Sequence, residues 1–220
     1  MRPVIKGTAP RSYSHWKHAR NDLGNQIGWH CSYCEMAITN MIEVEHIVPR
    51  HRGGKPFDWD NFLLSCKYCN TVKSDRNPSS AGYLWPDRDN TDISFTYSLL
   101  NVIEHVNGRA QAEAIATIDL MGLNRRPGGH TEPTEADTRW IFRLQAWVIA
   151  KKSYRNWQSA PSVAMANQIA LTALGTGFYS IWTTVFKSEV QVLQALQSTF
   201  PNTYKAMAGG VRVVRANGVI

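Results

Sequence analysis

Polar and apolar positions alternate over Glu43–Val48, which predicts a strand, and Phe62–Leu64 reads as a second short strand after the loop formers Arg52, Gly53, Gly54 and Lys55. Cys69–Asp75 then suits a short helix that must stop before Pro78. The predicted order is strand, loop, strand, helix. Upstream, Ser14–Arg20 is a short helical candidate ending near Gly24 and Gly28. Downstream, Ile93–Tyr97 alternates as a further strand. Arg109–Met121 reads as a helix, with Ala114, Ile118 and Met121 at helical spacing and Gly122 as its C-terminal stop. From Thr134 onward the pattern is helical. Ile141, Leu144, Val148 and Ala150 mark one amphipathic helix, and Pro161 suits the first turn of the next. Ser188-Glu189-Val190-Gln191 has the spacing of a capping box opening a third, with Val192, Leu193 and Leu196 inside it. A soft boundary falls near Gly128-Gly129, and the fold class is α+β.

Composition narrows the class. With 220 residues and 43% hydrophobic content the chain can bury a large core, which excludes a disordered or collagen-like protein. The N-terminal residues Met1–Gly7 carry charge without an apolar stretch behind it, so no secretory signal is read and a cytoplasmic location is expected. Asn156–Phe186 holds no charge, but Pro161, Asn167-Gln168 and Gly175-Thr176-Gly177 break it well below the ~18–20 apolar residues of a membrane span. It reads as buried helix or as partner surface, and its aromatics Trp157, Phe178, Tyr179, Trp182 and Phe186 fit ordinary core better than a partner face. The formal charge of +7 divides into +4 over residues 1–80, −2 over 81–130 and +5 over 131–220. Two basic regions therefore flank an acidic connector, a balance that favours polyanions without proving one.

All four cysteines fall in two pairs of one spacing, Cys31-Ser32-Tyr33-Cys34 and Cys66-Lys67-Tyr68-Cys69. Each pair can aim two thiolates at one point, and two pairs complete a tetrahedral zinc site; two disulfides or unrelated thiols are the alternatives in a chain with no other cysteine. Four thiolates close the coordination sphere, so such a zinc is structural and activates no water. His30, beside Cys31, is then superfluous as a ligand and reads as a loop histidine.

Between the pairs stand Glu45-His46-Ile47-Val48-Pro49, Gly53-Gly54, Asn61-Phe62-Leu63-Leu64 and, after the second pair, Asn70 and Lys73. This order over about 45 residues resembles the HNH endonuclease family. The resemblance implies a ββα-metal nuclease core with a four-cysteine zinc site, followed by a mainly α-helical C-terminal region. It divides the chain into an HNH module with zinc knuckles over 1–80, a hairpin and helix connector over 81–130, and a helical region over 131–220 that suits a partner. It further implies His46 as general base and Glu45 as ligand of a catalytic divalent cation, with Asn61 pinning the loop that carries His46 and Asn70 as second metal ligand. The residue types suit phosphodiester hydrolysis, in which a histidine activates water and a cation neutralises developing charge. Carboxylate and amide oxygens are hard donors, so Mg²⁺ or Mn²⁺ is expected. Asn70 stands where many family members carry histidine. Arg50, His51, Arg52, Lys55 and Lys73 would contact the nucleic-acid backbone, Lys73 foremost because it lies one turn after Asn70.

Three further phrases, Gly82–Asp87, Thr117–Arg125 and Gly177–Phe186, look like landmarks of longer HNH proteins encoded beside an ATPase in bacterial antiphage systems, the PtuB-like nucleases of Septu and their retron-associated relatives. That wider resemblance implies an ATPase partner and foreign DNA, or RNA, as target. A self-sufficient restriction or nicking enzyme and a non-catalytic zinc-ribbon binding module are the competing readings. No phosphate-binding Gly-rich loop and no Ser/His/Asp signature occurs, so any ATPase activity belongs to another polypeptide.

Overall fold

The computed structural model describes residues 1–220 except 39, 100–101, 105–108, 205–213 and 216. The unit that carries the motif begins with an antiparallel pair, β1 (Glu43–His46) and β2 (Phe62–Ser65), in the register Glu43–Ser65, Val44–Leu64, Glu45–Leu63 and His46–Phe62. β1 stops at His46, two residues before the alternation ends, because Pro49 has no N–H to offer and the chain turns into a 3-10 turn at Arg50–Arg52. Gly53 closes that turn at φ 85°, and a Cβ on Gly54 would fall 1.9 Å from the Val48 carbonyl oxygen. Only two glycines satisfy both demands, one for backbone angle and one for close approach. α2 (Lys67–Lys73) starts two residues earlier than the apolar pattern suggests, because Cys66 caps it: its sulfur accepts from the Cys69 N–H at 3.3 Å.

A 3-10 turn at Trp16–Ala19 and α1 (Arg20–Ile27) precede this unit, with α1 ending at Gly28 at φ 82°. After it, Thr91–Ser94 forms one helical turn (α3), so only Phe95–Tyr97 of the expected strand is extended (β3); it pairs with β4 (Val102–Glu104) in a small hairpin. α4 (Arg109–Met121) has the bounds that its apolar spacing gives, and Gly122 stops it at φ 57°.

Four helices complete the chain: α5 (Arg139–Ser159), α6 (Val163–Thr176), α7 (Tyr179–Val185) and α8 (Val190–Thr199). The expected apolar face of α5 is not the buried one. Of Ile141, Leu144, Val148 and Ala150 only Ala150 is buried, while Arg139, Arg143, Ala146 and Trp157 share the inner face with it. The two guanidiniums are tolerated inside because they donate to the Met121 carbonyl at the end of α4 and to the Gly122 and Leu123 carbonyls just beyond it. Pro161 lies just ahead of the cap rather than in the first turn of α6, which Ser162 caps by accepting from the Met165 N–H at 3.1 Å. The capping box at Ser188–Gln191 does not form; the Glu189 carboxylate accepts from the Trp157 indole N–H at 2.8 Å instead.

Trp157, Phe178, Tyr179, Trp182 and Phe186 are all buried, so the aromatics of the uncharged stretch supply core, while Val163 and Leu171 of the same stretch are exposed. One hydrophobic cluster runs from Met1 and Val4 through the β1–β2 unit to Phe200. The N-terminal and C-terminal parts interlock: Val4 bridges Thr203, and the Glu35 carboxylate accepts from the Ser180 hydroxyl at 2.6 Å. Among the described residues, no helix is long and apolar enough to cross a membrane.

Candidate active site and zinc site

The two Cys-x-x-C turns bring Cys31, Cys34, Cys66 and Cys69 together, with all four sulfurs within 4.8 Å of one another. The donor set fits zinc: four mutually close thiols, three of them buried, with no cross-link between them. Burial opposes ionisation of Cys31, but hydrogen bonds from the Cys34, Cys66 and Cys69 sulfurs overcome it and hold the thiol well below its ordinary range. The Arg139 guanidinium, seventy positions along the chain, donates to the Cys69 sulfur at 3.1 Å while gripping Asp137 at 2.6 Å. A cation there offsets thiolate charge, an outer partner that no local pattern around the cysteines announces. His30 stays out of the cluster; its Nε2 lies 2.9 Å from the Leu174 carbonyl oxygen.

A cleft of about 350 Å³ is lined by Trp16, Lys17, Arg20, Glu43, Glu45, His46, Arg50, His51 and Asn70, among others. His46 is half-buried at its edge. Its Nε2 lies 3.1 Å from the Pro56 carbonyl oxygen, which can only accept, so the proton of the neutral ring sits on Nε2 and Nδ1 keeps its lone pair. Burial lowers the His46 pKa, the nearby charges of Arg50 and Lys73 lower it further, and the Pro56 bond opposes them. Trp16 and Phe62 meet the imidazole edge to face, at 5.8 and 5.2 Å between ring centres. Asn61 clamps the loop from below. Its Oδ1 accepts from the Val48 N–H at 2.8 Å, and its Nδ2 donates to the Val48 and Lys55 carbonyls at 3.0 and 3.1 Å.

Two residues depart from their expected places. Glu45, the expected metal ligand, is 2% exposed, and its carboxylate is taken by Lys73 at 2.5 Å and by the Tyr33 hydroxyl. Burial pushes that carboxyl up, against the pull of Lys73 and Tyr33. Lys73, expected on the nucleic-acid face, is 1% exposed and also donates to the His46 carbonyl at 2.8 Å. An ammonium so enclosed meets no phosphate; here it ties α2 to the end of β1. The carboxylate that faces Asn70 belongs to Glu43, which accepts from the Asn70 side-chain amide. The alternation Glu43-Val44-Glu45-His46 placed both carboxylates on one side of the strand, but it gave no means of choosing between them. Among the described residues, no second group of three His, Cys, Asp or Glu ligand atoms converges as the cysteines do.

The remaining basic residues divide. Arg50 and His51 border the cleft, Arg50 lying 4.0 Å over the Trp16 ring. Arg52 and Lys55 are outside the lining of the cleft and exposed, with Asp75 and Asp58 at 3.9 and 3.2 Å. Lys17 and Arg20 join the cleft from the N-terminal segment, which carried no chemical signal in the sequence. A larger groove of about 980 Å³ runs past Tyr68, Val72, Phe142 and Ile149; the carboxylate in its lining, Asp137, is bound to Arg139.

Among known families, residues 31–76 match the model described as HNH endonuclease, and the chain thus carries an HNH endonuclease domain there. The matched segment contains both cysteine pairs, His46, Asn61 and Asn70. No curated protein and no solved structure matches the chain.

Proposed function

We propose that this protein is a divalent-metal-dependent endonuclease that hydrolyses nucleic-acid phosphodiester bonds, with DNA as the expected substrate and the four-cysteine zinc in a purely structural role. The observation that carries the reading is His46, held with Nδ1 free beside the Glu43–Asn70 pair in a basic-rimmed cleft inside the HNH segment. Nδ1 of His46 accepts the proton of the attacking water. Glu43 and Asn70 offer the hard oxygen donors for Mg²⁺ or Mn²⁺, which supplies charge neutralisation at the scissile phosphate. Asn61 and the Lys73–Glu45 pair are positioning residues, fixing the backbone on either side of His46. Arg50 and His51 serve phosphate contact without reading bases.

The test is cleavage of DNA and RNA substrates by the purified chain with Mg²⁺, Mn²⁺ or a chelator. His46→Ala should lose cleavage by at least the roughly 10²–10⁴-fold of a general base while keeping its zinc and melting temperature. Full cleavage by that variant would remove His46 from the chemistry. A place in an antiphage complex with an ATPase partner is a wider proposal resting on the phrases Gly82–Asp87, Thr117–Arg125 and Gly177–Phe186 alone. Leu84, Trp85, Phe178 and Trp182 in those phrases are core, so they speak for a shared fold rather than for a partner surface. Copurification of the native complex, followed by cleavage with and without the partner, tests it.

A further inference from the structure

We propose that Arg20, at the start of α1 and outside the matched HNH segment, is a phosphate-gripping residue of the cleft, with Lys17 adding charge beside it. The proposal rests on the nuclease reading for its ligand, a nucleic-acid phosphate, but not for its geometry. Arg20 lines the same cleft as His46, Glu43 and Asn70. Its Nε is sealed from solvent and has no hydrogen-bond partner.

Arg143 also leaves its Nε without a hydrogen bond, but its fork is engaged by the Leu123 carbonyl, and other enclosed cations meet acceptors. Lys6 meets Asp87 at 2.9 Å and the Trp59 and Phe62 carbonyls at 2.9 Å each; Lys73 meets Glu45; Arg139 meets Asp137 and Cys69; Arg2 reaches Pro201 and Thr203. The acids that might have served Arg20 are committed elsewhere. Asp22, on the same helix, accepts from Arg11 at 2.9 Å and from the Tyr13 hydroxyl at 3.0 Å. Glu43 accepts from Asn70, and Glu45 belongs to Lys73 and Tyr33. A guanidinium with a buried, unused N–H in a cleft rimmed by Lys17, Arg50 and His51 calls for an anion from outside, and its planar fork matches a phosphate diester.

The segment is also docked against the proposed base. Trp16, four residues earlier, packs its ring edge to face with His46 and carries Arg50 on its face at 4.0 Å. The N-terminal turn is thereby docked on the loop that bears the base. Arg20 then grips a phosphate of the strand lying along the cleft, and the HNH segment alone lacks this contact.

Binding of a fluorescein-labelled single-stranded DNA and of its duplex is measured with the full-length chain in a chelator of divalent cations, so that no cleavage occurs, over a series of salt concentrations. Each phosphate contact adds about 0.7 to the slope of log affinity against log salt on a single strand and about 0.9 on a duplex. Arg20→Ala should lower that slope by one such step on at least one of the two probes. Arg20→Lys, which keeps the charge, should retain the slope but bind more weakly than the parent. Melting curves of both variants control for folding, and Arg20→Gln replaces Arg20→Ala if the latter does not fold. An unchanged slope and affinity in a folded Arg20→Ala or Arg20→Gln variant overturns the proposal, as does a parent chain that binds neither probe. A slope effect in a chain that never cleaves with Mg²⁺ or Mn²⁺ sustains the grip and sinks the nuclease reading; cleavage with an unaltered slope does the reverse.

Discussion

Replacing Glu45 by Gln separates the metal-ligand role that the motif implies from the ion-pair role that its surroundings give it. Glu45 and Lys73 are 2% and 1% exposed and lie 2.5 Å apart, so solvent screens little of their attraction. Removing one partner of such a pair leaves a buried ammonium uncompensated, at a cost of about 3–5 kcal/mol. The amide oxygen of the introduced glutamine and the His46 carbonyl, 2.8 Å from Lys73 Nζ, remain as acceptors, which puts the expected loss at the lower end, ~3 kcal/mol. For a domain of this size that is a fall in melting temperature of roughly 6–12 °C. Adding Lys73→Met removes the stranded charge, and the double variant should regain most of the loss, since apolar replacements of a buried pair are often neutral or better. Glu43→Gln is the contrasting arm: melting close to the parent, but a higher Mg²⁺ or Mn²⁺ concentration for half-maximal cleavage. Thermal melts and metal titrations of the parent and the three variants decide the matter. A Glu45→Gln chain that melts like the parent yet needs far more metal would refute the reasoning and return the ligand role to Glu45.

Two further outcomes follow from the same geometry. His46 acts as its neutral form, and burial with Arg50 and Lys73 lowers its pKa, so the acid limb of the pH–rate profile should fall below the ordinary histidine value of about 6.5; Arg50→Ala, which takes away one lowering charge, should move it upward, and a limb centred above about pH 7 would contradict the assignment. The unfolded chain binds that proton more readily than the folded one, so His46 also makes stability decline as pH drops from above about 6.5 toward the lowered value. For the zinc site, chelation or Cys66→Ser should unfold the β1–β2–α2 unit, seen as loss of bound zinc together with a lower melting temperature; retention of the parent melting curve by a zinc-free chain would exclude a structural metal.

The chain's own order of residues was enough to determine the strand–loop–strand–helix succession, the bounds of α4 and the meeting of four cysteines, because turn chemistry, side-chain periodicity and Cys-x-x-C spacing are local properties. It also marked His46 and Asn61 as the residues to examine. What it could not decide was which way a charged residue faces. Lys73 lies one turn beyond Asn70 and reads as a surface cation, yet α2 packs against β1 and turns its ammonium onto Glu45 and the His46 carbonyl. Glu43 and Glu45 share a strand side and are indistinguishable until Lys73 takes one and Asn70 the other. On α5 the aliphatic spacing suggested a face, but the carbonyl groups at and just beyond the end of α4 and the Cys69 sulfur draw Arg139 and Arg143 inward instead. Trp16 and Arg20 reach the cleft only because the N-terminal turn docks beside His46. Local pattern fixes the elements; the acceptor that each buried charge finds is set by segments distant in the chain, and only the tertiary structure brings those together.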